Sequence, residues 1–111
     1  MVIIVEKESF MSAIPIQKTL SKEELYTLIQ NYQKNHDQKS KEMIILSNTK
    51  LVLSLMKRFY QKSNHYEDLF QVGIVGLIKA VDHFDTNYQL QFSTYAVPLI
   101  IGEMKRYLRD N

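Results

Sequence analysis

The stretch Phe92-Ser93-Thr94-Tyr95-Ala96-Val97-Pro98-Leu99-Ile100-Ile101-Gly102-Glu103-Met104-Lys105-Arg106-Tyr107-Leu108-Arg109-Asp110-Asn111 decides how the rest of the chain is read. Wound as a helix, it puts Val97, Ile101, Met104 and Leu108 on one apolar stripe. Tyr95, Gly102, Arg106 and Arg109 fall on the other side. Two readings fit that second face. Cations beside an aromatic ring suit nucleic acid, where guanidinium groups meet phosphates and the ring stacks on a base. An amphipathic helix with a solvated basic face is the plainer alternative. Ser93 is placed to cap this helix. Pro98, beyond its first position, is expected to bend the first turns or delay the regular start.

Working back from that helix, Phe84 to Gln91 reads as a loop. A long helix precedes it, from about Tyr66 to His83, with Leu69, Gly73, Gly76, Leu77 and Ala80 on its core face. Glycine inside a helix costs about 1 kcal/mol against alanine, so two glycines on one core face point to the close approach of another helix. A further helical region runs from Gln38 towards Tyr60. Ser47-Asn48-Thr49, three poor helix formers in a row, suggest a break or bend within it. Gln61 to His65 is a polar connector. Ser21-Lys22-Glu23-Glu24 has the form of a capping box and starts a helix that ends near Asn35. Residues 1–20 show no sustained period and read as an N-terminal arm, with Met1 and Met11 both open as the start. There is no strand pattern and no repeat. The fold class is all-α, a compact bundle of about four to five helices over residues 21–111.

The 111 residues suffice for one domain with a single core. A net charge of only +2 means there is no global basic field, so any nucleic-acid contact must come from a local cluster such as Lys105, Arg106 and Arg109. The absence of cysteine excludes disulfides and thiolate zinc sites and favours a cytoplasmic location. The apolar run at the N-terminus is too short for an export signal, and no run approaches a membrane span.

An enzyme is not expected. His36, His65 and His83 lie in or near three different connectors, no two at ligand spacing, so no metal or other cofactor is expected. Asp82 and Asp85 flank a helix end, and no two glycines share a turn as a phosphate loop requires. Binding signals are stronger. Gln71, Ile74, Val75 and Ile78 lie opposite the core face of their helix, bordered by Glu67 and Asp82. Such a patch marks a protein interface, unless the helix is buried all round. Phe84, Tyr88, Phe92 and Tyr95 cluster around the last loop, with Phe84 and Phe92 also suited to the core and Tyr88 and Tyr95 better placed for exposure.

From Glu67 to Asn111 the chain resembles region 2 of the bacterial RNA polymerase sigma-70 family. Asp68-Leu69-Phe70-Gln71-Val72-Gly73 and Gly76-Leu77-Ile78-Lys79-Ala80-Val81-Asp82-His83-Phe84-Asp85 are similar to its polymerase-binding helix. Phe92-Ser93-Thr94-Tyr95-Ala96 is similar to the start of its promoter-melting helix. The ending from Ile100 to Asn111 is most similar to sporulation and general-stress sigma factors, the sigma-F and sigma-G type. Asn48 to Ser54 fits region 2.1, and the stretch from Ser21 resembles region 1.2.

The resemblance implies a non-catalytic specificity subunit that binds the polymerase core through the β′ clamp coiled coil and recognises and melts the promoter −10 element. It implies that Gln71, Ile74, Val75 and Ile78 dock on the clamp with Asp68 in support. Phe92 and Tyr95 would meet the flipped non-template adenine, Leu99 and Gly102 would face the same DNA, and Lys105, Arg106 and Arg109 would lie along its upstream part. Pro98 and Leu99 stand where primary sigma factors carry paired tryptophans, which suggests weaker melting. The family continues into regions 3 and 4, which are expected to be absent from a chain ending at Asn111. Two other readings remain at this point. One is a sigma-like interaction module that competes for the clamp or binds an anti-sigma factor without initiating. The other, disfavoured because it leaves the apolar helix face unexplained, is a helix-turn-helix DNA-binding domain.

Overall fold

The computed structural model describes residues 20–62, 65–88 and 90–110. The arm, apart from Leu20, lies outside the described residues, with both candidate starts, as do Ser63, Asn64, Gln89 and Asn111. Five α-helices are present among the described residues: α1 Lys22–Asn35, α2 Gln38–Ser47, α3 Thr49–Met56, α4 Tyr66–His83 and α5 Phe92–Asp110. A 3-10 segment, Lys57–Lys62, follows α3 and takes up part of the expected polar connector. No strand occurs among the described residues, and the chain is all-α.

Local chemistry sets the helix limits. The Ser21 hydroxyl accepts from the Glu24 amide at 3.1 Å, while Glu24 Oε1 accepts from the Ser21 amide at 2.9 Å. This reciprocal pair satisfies two amides that the first turn leaves free. Helix α1 stops at His36, whose left-handed backbone (φ 52°) lets its amide return to the Tyr32 carbonyl at 2.7 Å. Asp37 then starts α2, accepting from the Ser40 amide at 3.0 Å and the Ser40 hydroxyl at 2.6 Å. The break between α2 and α3 falls at Asn48. Asn48 and Ser47 side chains both donate to the Ile44 carbonyl, at 2.8 and 2.9 Å, and Thr49 donates to the Ile45 carbonyl at 3.0 Å. Side chains there replace backbone bonds that the interrupted helix cannot make.

Helices α4 and α5 form an antiparallel hairpin around which the rest packs. Glycine makes their close approach possible. A Cβ on Gly76 would lie 2.6 Å from the Leu99 carbonyl oxygen and 2.7 Å from the Ile100 Cα. On Gly73 it would meet the ends of Met104 and Val52, at 2.6 and 2.8 Å. Ile29 of α1, Ile44 of α2, and Val52 and Met56 of α3 close the core over Leu69, Leu77, Ile100 and Met104. At the loop end, Phe84 is an aromatic hub, with the Tyr26 and Phe92 rings edge-on at 5.3 Å and Tyr95 tilted at 5.5 Å. Gln33 of α1 donates to the Val81 and Phe84 carbonyls, both at 2.8 Å, and so caps the end of α4.

Two expectations for the last helix are corrected and a third is narrowed. Helix α5 begins at Phe92, so Ser93 lies inside its first turn and is not the cap; the Gln91 carbonyl takes the Thr94 and Tyr95 amides instead. Its buried stripe is Phe92, Ala96, Ile100 and Met104, while Val97, Ile101 and Leu108 are only half-buried. The stripe follows the surface that meets Gly73 and Gly76, where a small residue at position 96 counts for as much as a branched one. Pro98 does not delay the helix. It is exposed, and the Thr94 carbonyl that loses its amide partner belongs to an exposed residue, where water can serve.

Candidate functional site

The hairpin turns two outward faces to its surroundings. On α4, Asp68, Gln71 and Val75 are exposed, and Ile74 and Ile78 are half-buried along the same side. Val75 is 43% exposed, unusual for a branched aliphatic in a helix. The alternative of a helix buried all round is thereby set aside. Ile74 also packs on the core. Asp68 Oδ2 accepts the Tyr107 hydroxyl of α5 at 3.0 Å, which pins the start of one helix to the end of the other. Desolvation, followed by this bond to Asp68, raises the pKa of the Tyr107 phenol, so it stays a neutral donor over the physiological range.

On α5, Thr94, Pro98, Gly102, Lys105, Arg106 and Arg109 form one exposed strip. Tyr95 is half-buried at its edge and leans on Phe84; Leu99 is half-buried on the side towards α4. A Cβ built on Gly102 meets nothing within 4 Å. The fold gives no reason for a glycine there, although glycine costs about 1 kcal/mol against alanine inside a helix.

Phe92 does not join this strip. It is 2% exposed and sits edge-on against Phe84, so in the free chain it takes the core place that the sequence also allowed. Tyr88 is exposed, as expected, and its ring stands edge-on to Phe84 at 6.2 Å.

The cations are unequal. Arg109 Nε donates to Asp110 Oδ1 at 3.0 Å, and Arg106 Nη2 donates to Glu103 Oε1 at 2.8 Å. Lys105 is exposed and has no ion pair among the described residues. Glu103 also accepts from Lys79 Nζ of α4 at 2.8 Å, so a single carboxylate joins the two faces. Sequence reasoning missed Lys79, Glu103 and Tyr107: the Lys79–Glu103 and Tyr107–Asp68 pairings cross between helices and leave no local spacing to read. Among the described residues no group of side chains could hold a metal ion, and no helix is long and apolar enough to cross a membrane.

Residues 44–111 match the family described as Sigma-70 region 2. The chain is 45% identical over 100 residues to the RNA polymerase sigma-G factor of Bacillus subtilis (strain 168), covering 90% of this chain and 37% of that protein. It is 48% identical over 92 residues to the RNA polymerase sigma-F factor of Bacillus licheniformis, covering 83% and 36%. A putative RNA polymerase sigma-G factor of Bacillus thuringiensis subsp. kurstaki is 46% identical over 92 residues, covering 83% of this chain and 73% of that protein. The chain thus spans little more than a third of the sigma-G and sigma-F factors named first, 37% and 36% of their lengths.

Proposed function

The chain belongs to the sigma-70 family, and from that premise we propose that it acts in bacterial transcription initiation as a non-catalytic, cytoplasmic specificity subunit of RNA polymerase. Residues 21–111 serve as one helical domain of the region 1.2–2 type. The α4 face docks on the coiled-coil clamp of the β′ subunit. Ile78 and Val75 supply the apolar contact, Ile74 its inner edge, and Gln71 and Asp68 the polar rim, an arrangement suited to a small protein interface. The α5 strip takes the non-template strand of the −10 element. Tyr95 stacks on an unpaired base, Leu99 lies beside it, and Gly102 leaves room for the strand to come close to the helix. Lys105, Arg106 and Arg109 meet its phosphates. Capture of an unstacked base offsets the cost of opening the duplex, so the proposed chemistry is binding alone.

The observation that carries this reading is the pair of outward faces on one hairpin: an apolar patch on α4 that includes the exposed Val75, and an exposed cationic strip on α5 with a glycine that no contact among the described residues requires. The test is binding of the chain to the isolated β′ clamp coiled coil, beside Ile78→Glu. Tight binding that is lost in a folded variant supports the reading. Binding unaffected by Ile78→Glu, or no binding by the folded parent chain, would remove the docking assignment.

A further inference from the structure

The Glu103 carboxylate is shared between two cations from different helices. Oε2 accepts from Lys79 of α4 and Oε1 from Arg106 of α5, each at 2.8 Å. The Glu103 side chain is only 14% exposed, whereas those of Lys79 and Arg106 are 46% and 57% exposed. The anion is therefore fixed at the helix junction, and the two cationic heads face water. From this geometry we infer that Glu103 is a positioning residue that holds Arg106 away from phosphate in the free chain and so limits binding to nucleic acid of arbitrary sequence. The inference rests on the promoter reading above.

Lys79 makes the exchange feasible. If Glu103 held Arg106 alone, release of the guanidinium to a phosphate would strand a largely buried carboxylate without a partner, which is costly. With Lys79 still bonded, Glu103 stays compensated when Arg106 leaves. A strand reaching α5 thus meets Lys105 at once and gains Arg106 only by competing with Glu103. Arg109 differs, because its partner Asp110 is itself well exposed, at 56%, and holds it only through a screened surface pair.

The test measures binding of the full chain to a labelled A·T-rich single strand and to a scrambled strand of the same composition, across a salt series. Glu103→Gln keeps the side-chain shape and removes the charge. It is expected to tighten binding to both strands by about two- to fivefold at low salt, a modest gain because the Arg106 head is itself more than half exposed. It should also steepen the slope of log affinity against log salt by about 0.7, one further phosphate on a single strand. In an Arg106→Gln background the same change should gain nothing. Thermal melts of each variant establish that the fold is kept. Three outcomes overturn the inference while the parent chain binds: unchanged affinity, weaker affinity, or a gain that persists without Arg106. If the parent chain binds neither strand at low salt, the promoter reading falls and takes the inference with it.

Discussion

Gly102 and Tyr95 lie one above the other along α5, and opposite substitutions test them. Adding a methyl group at Gly102 meets nothing within 4 Å among the described residues. Gly102→Ala is therefore expected to stabilise the fold by about 0.5–1 kcal/mol, read as a higher urea midpoint. The same methyl should weaken binding to a single strand carrying the −10 sequence, because it fills the space the strand needs. A variant that is both more stable and equally good at binding would remove Gly102 from the interface. Tyr95 is held by Phe84 on one side, so its ring is oriented before any base arrives. Tyr95→Ala is expected to cost about 1–3 kcal/mol of single-strand affinity in fluorescence anisotropy, the size of one base–aromatic contact. Unchanged affinity would return the ring to the core. The sequence put Tyr95 on the outer side of α5 and favoured its exposure, whereas the ring is half-buried and packs against the core. The burial of Phe92 was only half legible, since it depends on the hub at Phe84, which the fold assembles from α1, α4 and α5.

At the scale of elements, the start of α1 and the break after α2 were legible because they are written in neighbouring residues: the Ser21 box and the polar run at Asn48 each act within one turn. The buried face of α5 was not. Two apolar stripes run side by side on that helix and share Met104. What decides between them is the other helix, where Gly76 lets the Leu99 and Ile100 backbone in. Gly76→Ala would push a methyl into that backbone, which cannot rotate away. It is expected to destabilise the chain by about 1–3 kcal/mol in urea unfolding. Gly73→Ala meets only the ends of Met104 and Val52 and should cost less. Equal costs would mean that the backbone contact is not what sets the hairpin spacing. The cap of α2 adds a pH dependence. Hydrogen bonds from the Ser40 side chain, then its backbone amide, hold the Asp37 carboxyl below its usual value. A lowered folded pKa means that this contribution is complete above the ordinary Asp range, near about pH 4, and is lost as pH falls through the folded value. Asp37→Ala should flatten the acid limb of a stability-versus-pH curve; an unaltered limb would show that the cap does not contribute to it.

On the scale of the whole molecule, the two proposed surfaces face outward from different helices of one packed hairpin. Residues that share no partner and sit well apart usually act additively, within about 0.3–0.5 kcal/mol. Ile78 and Tyr95 should behave in this way. Ile78→Glu is expected to abolish capture by polymerase core and leave single-strand binding by the free chain unchanged. Tyr95→Ala should weaken strand binding and leave capture by the core intact. The physical reason is the hairpin itself. Met104, Ile100 and Leu77 are fully buried, so the packing between the two helices is kept when either residue is changed, although Tyr95→Ala also removes a ring from the Phe84 hub. Gly76→Ala should break this independence by loosening the hairpin, and impair both activities together. The decisive measurement is a matched set of pull-downs on core polymerase and anisotropy titrations with the single strand, using these three variants and the parent chain. If Ile78→Glu weakens strand binding as much as Tyr95→Ala does while its melting temperature is unchanged, the two faces are one surface, and the assignment of separate polymerase and promoter helices fails.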